Sequence, residues 1–311
     1  MTFKKSLYLL FLIAIVPIYS NGQQLPQLTQ YMMNNYAINP AVAGMQDYYQ
    51  IRTTIRNQWV GIEDAPTTNI LSVYGKRGNN VGLGGIVFND QVGPTSRIGA
   101  NMSYTYHFNL SKKTMLALSL SGGFTQFKID KIGWNVQHPD DPVTQGDVIV
   151  DAIPDATFGF NFYGKNWYLG GAVPQLVSSN LELLDTDFAR NFNTEMTGSL
   201  SPHVYILGAY QHTFNDFWNI EPSVLVKYMD PTPTQFDIGL KTEYNDRLWA
   251  GLNYRSNGDM AALFGYNIGE RFIVGYSYDI VNADINDYSS SSHEFMIGIN
   301  FVPVKEQQII D

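Results

Sequence analysis

The stretch that decides the fold is RIGANMSYTYHF, residues 97–108. Ile98, Ala100, Met102, Tyr104, Tyr106 and Phe108 fall on one side of an extended chain, and Arg97, Gly99, Asn101, Ser103, Thr105 and His107 on the other. Successive side chains of a strand point to opposite faces, so a period of two yields one apolar face and one small or polar face. At helical spacing the two groups would be scattered around the surface. A strand with lipid on one side and an enclosed lumen on the other needs this division.

The pattern recurs outward from this segment. Phe272, Val274, Tyr276, Tyr278 and Ile280 alternate with Gly275, Ser277 and Asp279, and Phe295, Ile297, Ile299 and Phe301 with Glu294, Met296, Gly298 and Asn300. Trp218, Ile220, Val224, Val226 and Tyr228 alternate with Asn219, Glu221, Ser223 and Lys227, with Pro222 on the outer face as the weak point of that strand. The same rule predicts strands near 47–57, 66–76, 79–89, 96–108, 113–127, 155–164, 166–173, 202–213, 217–228, 234–244, 247–256, 259–268, 271–281 and 292–302. The fold class is all-β, a transmembrane antiparallel β-barrel of about 14 strands spanning residues 47–302, with the even strand count of single-chain bacterial barrels.

The connections support this. Short turns around 77–79, 111–112, 165, 215–216, 245–246 and 269–270 alternate with connections that include the long stretches 128–154 and 174–201 and the acidic loop 282–291. Outer-membrane barrels combine short periplasmic turns with longer outer loops. A soluble β-sandwich or propeller has no need of that asymmetry, and the repeat of roughly 40–50 residues that marks a propeller is absent.

The first 22 residues, MTFKKSLYLLFLIAIVPIYSNG, read as a secretory signal peptide: Lys4 and Lys5, an apolar run from Leu7 to Ile18, then the small residues Ser20 and Gly22. Cleavage after Gly22 removes two lysines and no acid, leaving 17 Lys+Arg against 28 Asp+Glu, a net charge of −11. That balance argues against nucleic acid as a partner. The chain has no cysteine, so disulfides and thiolate metal sites contribute nothing. After Ile18 no long apolar run follows, which excludes a helical membrane protein. Aromatic residues make up 14% of the chain, an abundance that interfacial girdles explain.

Two parts resist the strand reading. Residues 23–46, QQLPQLTQYMMNNYAINPAVAGMQ, form a periplasmic or lumenal N-terminal segment that folds into the barrel, projects as a docking arm, or stays disordered. Residues 303–311 form a C-terminal tail. Inward positions carry both charge signs, at Arg52, Arg56, Arg97, Asp155, Lys227, Asp237, Lys241, Glu243, Arg247 and Arg255, a mixture suited equally to a water channel or a packed plug.

No constellation for catalysis emerges. His107 points inward near Ser103 and Thr105, where a polar network is the simpler reading than a hydrolase. His138 with Asp140 and Asp141 lacks the further ligand spacing of a metal site, and no cofactor motif is present. Gly82, Gly84 and Gly85 lie within a strand with no following helix. They serve close packing or curvature, not phosphate binding.

The N-terminal half resembles the PorP/SprF family of the type IX secretion and gliding machinery of Bacteroidota-type bacteria. The matching residues are Gln30-Tyr31-Met32, Tyr36, Asn39-Pro40-Ala41 and Gly44, then Arg56, Gln58-Trp59-Val60-Gly61 and Ala65-Pro66-Thr67-Thr68. Gly82-Leu83-Gly84, Asp90, Gly93, Asp141-Pro142, Pro154-Asp155-Ala156 and Gly159 follow, so the resemblance reaches about residue 163. It implies a non-enzymatic outer-membrane role, with a secreted adhesin or its C-terminal domain, other type IX components of the periplasm or outer membrane, and outer-membrane lipid as partners. Tyr31, Tyr36, Asn39, Pro40, Gln58, Trp59 and Pro66 are the partner-binding candidates, although Asn39-Pro40 and Ala65-Pro66 also read as turns and Trp59 as an interfacial anchor. The alternative function is an outer-membrane channel or transporter for small or hydrophobic solutes.

Overall fold

The computed structural model describes residues 26–130, 148–177, 180–182, 197–199, 202–230, 232–282 and 284–301. Its wall has fourteen strands: β1 Tyr49–Asn57, β2 Thr67–Arg77, β3 Val81–Val92, β4 Thr95–Asn109, β5 Met115–Asp130, β6 Val148–Tyr163 and β7 Trp167–Val173. The others are β8 Val204–Tyr210, β9 Trp218–Met229, β10 Thr232–Tyr244, β11 Leu248–Arg255, β12 Met260–Ile268, β13 Phe272–Ile280 and β14 Ser292–Phe301. Each pairs antiparallel with its neighbours in sequence, and β1 pairs with β14, so the sheet closes on itself and leaves no edge. The expected signal peptide, residues 1–22, and the expected tail, residues 303–311, lie outside the described residues.

Alternation places the side chains as lipid requires. On β4, Met102 is 80% exposed to the outside while Thr105, on the inner face, is fully buried. Ile98, Tyr104, Val274 and Ile297 are exposed on the outer surface. Every backbone group in the wall can pair with the next strand, which is the condition for crossing hydrocarbon.

Three sequence expectations need correction. The stretch 128–154 is not all loop, because β5 runs to Asp130 and β6 starts at Val148. Val148, Val150 and Ala152 continue the outward set, and Pro154, which interrupts the reading, sits on the outer face opposite Phe124. Residues 202–213 are not one strand: β8 ends at Tyr210, and after Gln211 only His212–Thr213 pair again, with β9. Arg247 is exposed in a turn, where Asn245 and Asp246 adopt positive φ, and does not line the lumen.

The two barrel ends differ. Connections 78–80, 110–114, 164–166, 245–247 and 269–271 make a turn end, and the connection after β1, together with those containing 131–147, 174–203 and 281–291, a loop end. A short hairpin, Asn180–Glu182 with Thr197–Ser199, belongs to the connection between β7 and β8.

Candidate functional site

Residues 26–46 occupy the barrel interior. They form two short 3-10 turns, Asn35–Ala37 and Pro40–Val42, and run from the loop end, at Leu28 and Thr29, to the turn end, where Tyr49 begins β1. This segment is a plug, and its backbone polar groups need partners where it is buried against the wall.

At the loop end the partners are charged. The Thr29 hydroxyl has a single proton, which it donates to Asp279 (2.8 Å to Oδ1), and it accepts from Arg56 Nη1 (2.9 Å) and Arg255 Nη2 (2.5 Å). The backbone N–H groups of Thr29 and Gln30 donate to the two carboxylate oxygens of Glu294, each at 2.8 Å, and Asn253 Nδ2 donates to the Thr29 carbonyl. Behind these contacts Arg56 and Arg255 pair with Asp279 at 2.6 and 2.9 Å, and Arg56 reaches Glu294 at 3.2 Å. Arg255 also reaches Asp237 at 3.8 Å, which pairs with Lys227 at 2.9 Å, so three cations balance three anions in a largely buried cluster. Such clusters roughly break even against desolvation, but removing one member strands the others.

Further along, the plug is held by shape and neutral hydrogen bonds. The Tyr36 ring stacks on Tyr74 with centroids 4.4 Å apart, and its hydroxyl meets Ser103 at 2.7 Å. A side chain on Gly84 would overlap the Tyr36 ring, and one on Gly82 the carbonyl of Ala43. The glycines of β3 therefore serve close packing. Asn39 caps the second turn by accepting from the Ala41 N–H at 3.0 Å and donates through Nδ2 to the Phe160 carbonyl at 2.9 Å. Pro40 begins that turn, where no N–H is needed, and its carbonyl accepts from Thr105 Oγ1. His107 Nε2 lies 2.8 Å from the Ala43 carbonyl, which can only accept, so that nitrogen carries the proton and Nδ1 accepts from the Tyr163 hydroxyl. This histidine is committed to holding the plug.

A third contact is apolar. Tyr31 and Met32 pack with Tyr205, Leu207, Leu225, Trp249, Leu263 and Met296, all inward residues of the wall. Sequence reasoning missed this cluster by expecting small or polar groups inside. The signal that marks it is Trp249 on the inner face, with the inward glycines Gly265 and Gly275 of the following strands leaving room for its ring. Burial pushes the phenols of Tyr31 and Tyr36 up to about 12, partly offset by their hydrogen bonds to Ser223 and Ser103.

The seven candidate residues therefore divide. Tyr31, Tyr36, Asn39 and Pro40 are buried against the wall, so a partner would reach them only after the plug leaves the lumen. Gln58, Trp59 and Pro66 are half-buried in the loop-end connection between β1 and β2. There the Gln58 N–H donates to the Pro66 carbonyl, and Trp59, at a φ of 47°, donates its N–H to Ser292 Oγ. Val60 exchanges backbone hydrogen bonds with Ser290 and Ser291, which ties this loop to the start of β14. His138, Asp140 and Asp141 lie outside the described residues.

Two cavities flank the plug. A vestibule of about 1460 Å³ opens at the turn end, lined by Met33 and Met45 of the plug and by Lys112, Lys113 and Lys165 of the turns. A smaller chamber of about 130 Å³ lies on the loop-end side.

Among solved structures the barrel is similar to the CymD monoaromatic hydrocarbon channel, with 13% identity and a TM-score of 0.49 over 90% of this chain and 93% of that one. It is also similar to a Pseudomonas aeruginosa FadL homologue, with 11% identity and a TM-score of 0.47 over 90% and 95% of the two chains. The Acinetobacter baumannii outer membrane protein Omp33 gives 8% identity and a TM-score of 0.46 over 83% and 99%. No curated protein matches the sequence. The model of the type IX secretion system membrane proteins PorP/SprF matches residues 20–299, nearly the whole barrel together with its plug, and the chain belongs to that family.

Proposed function

We propose that this barrel is a non-enzymatic accessory of type IX secretion, exported with cleavage of residues 1–22 and seated in the outer membrane with its loop end facing outward. It assists secretion or surface attachment of adhesin-type cargo, or links the apparatus to the outer membrane. Its partners are a secreted adhesin or its C-terminal domain at the loop end, other type IX components at either face, and the surrounding lipid. The observation that carries this reading is the plug: a lumen filled by the chain itself, and pinned to strands on both sides of the β1–β14 junction, suits a holding role better than free passage.

The test is deletion of the gene with measurement of adhesin at the cell surface, complemented by a Trp59→Ala, Pro66→Ala variant of the rim loop. Display should fall in the deletion and fall partly in the rim variant at normal barrel abundance. Unchanged display after deletion sinks the secretion reading. The alternative, a channel for small or hydrophobic solutes, requires the plug to leave. It predicts large, stable, ohmic conductance in a planar bilayer, where the accessory reading predicts little.

A further inference from the structure

The loop-end chamber contains a charge without a partner. Arg97, on the inner face of β4, lies over the Phe88 ring with its guanidinium carbon 5.2 Å from the centroid. Among the described residues it makes no hydrogen bond or ion pair, and its Nε is buried without an acceptor. The acids nearby do not reach ion-pair distance of it: Asp90 accepts from Thr68 Oγ1 at 2.6 Å, and Asp155 accepts from Asn101 Nδ2 at 3.0 Å through one oxygen while the other has no donor. The charged side chains lining the chamber are Arg97, Lys227 and Asp155, and Lys227 is already paired with Asp237 at 2.9 Å. Around this guanidinium the lining joins apolar Leu28, Ile70, Ile86, Phe88 and Leu225 to uncharged polar side chains that include Ser121, Thr125 and Thr157.

A cation enclosed by apolar surface is costly unless something pairs with it. The planar fork of arginine matches a carboxylate through two parallel hydrogen bonds, and stacking on an aromatic ring leaves those outer nitrogens free. The volume sets the size of the rest. About 130 Å³ is close to the ~150 Å³ apolar cavity that accepts a benzene-sized guest, so the ligand has on the order of six to nine non-hydrogen atoms.

We infer that this chamber is a binding site for a small amphiphile with a carboxylate head, its head on Arg97 and its apolar body against Ile86, Phe88 and Leu225. Tyr36, Ile38 and Pro40 of the plug form part of its lining, so an occupied chamber also braces the plug from the loop-end side.

The experiment uses the full barrel in nanodiscs of zwitterionic lipid, titrated calorimetrically with hexanoate, hexan-1-ol and hexylamine. Hexanoate should bind saturably at one site, the alcohol at least tenfold more weakly, and the amine not at all. Arg97→Gln should weaken hexanoate at least tenfold, and Ile86→Trp, which fills the chamber, should abolish the saturable phase and leave only partition into lipid. Assembly of each variant is checked by heat-modifiable migration. If Arg97→Gln fails to assemble, the contrast between hexanoate and hexan-1-ol on the wild-type barrel decides. Absence of saturable hexanoate binding, equal affinity for the alcohol, or affinity within twofold in an assembled Arg97→Gln barrel overturns the assignment.

Discussion

Two parts of the plug are fastened by opposite means. At Thr29 and Gln30 the chain is held by two arginines and two carboxylates of a buried cluster, in which each member depends on the others. Between Tyr36 and Ala43 it is held by fit: a tyrosine over glycine, a capped turn and neutral hydrogen bonds with Ser103, Thr105 and His107. Charge clusters are specific but fragile to the loss of one partner, whereas a fitted contact fails in proportion to the volume disturbed. The loop end is thus the fastening most sensitive to the loss of one residue, and the stretch Tyr36–Ala43 the one most sensitive to a change of volume.

The sharpest way to break this comparison is Arg56→Met. It leaves Glu294 and Asp279 buried with one cation fewer, and the barrel should lose about 3–5 kcal/mol of stability. Urea titration followed by heat-modifiable migration measures this, and limited proteolysis should show residues 26–34 exposed before Tyr36–Ala43. A control leaves both fastenings intact: Met102→Arg on the lipid face should cost about 2–4 kcal/mol without exposing the plug to protease. Loss of plug protection in that variant would mean that wall and plug are not separable.

The contrast between these regions also marks what could be read from sequence. The wall was legible because lipid imposes one rule on every strand, and alternation at Ile98 to Phe108 repeats until the ring closes. Where that rule is interrupted by one residue, at Pro154, the strand was cut short. The plug obeys no period. Its conformation is two single turns, and its contacts join residues 29 and 294 or 39 and 160, separations at which local pattern carries no information. Tyr31, Tyr36, Asn39 and Pro40 stand out in the sequence, but aromatic and turn residues look alike whether they face a partner or a lumen wall. Trp249 was passed over because the lumen was expected to be polar, and only the plug gives an inward indole something apolar to touch.

The fitted fastening is tested by Gly84→Val. Its side chain would meet the Tyr36 ring, and overpacking of this kind costs about 1–3 kcal/mol. The expected proteolysis pattern is the reverse of that for Arg56→Met, with cleavage near Tyr36 while Thr29 stays protected.

The smallest effect expected is that of pH. Tyr31 and Tyr36 titrate near 12 in the folded barrel against an ordinary value of 10.0, so the stability they contribute as neutral phenols is complete below pH 10 and falls as pH rises toward 12. Plug protection should therefore be unchanged between pH 7 and 9 and decline above 10. Tyr36→Phe should cost about 0.5–1.5 kcal/mol at pH 8 and reduce the alkaline decline. A decline of the same size in that variant would assign the effect to other groups.

The path of the plug also dictates an order of assembly. It precedes β1 in the chain, yet its first described contacts are with Asp279 on β13 and Glu294 on β14, the last strands to emerge during synthesis. Bringing residues 29 and 294 together closes almost the whole chain into a loop, a slow step for any polypeptide. The strands that close the ring, β1 and β14, also carry Arg56 and Glu294, so closing the ring and seating the plug draw on the same residues. The charged cluster at its tip is complete only when the final strand has arrived, and so it reads the register of that closure.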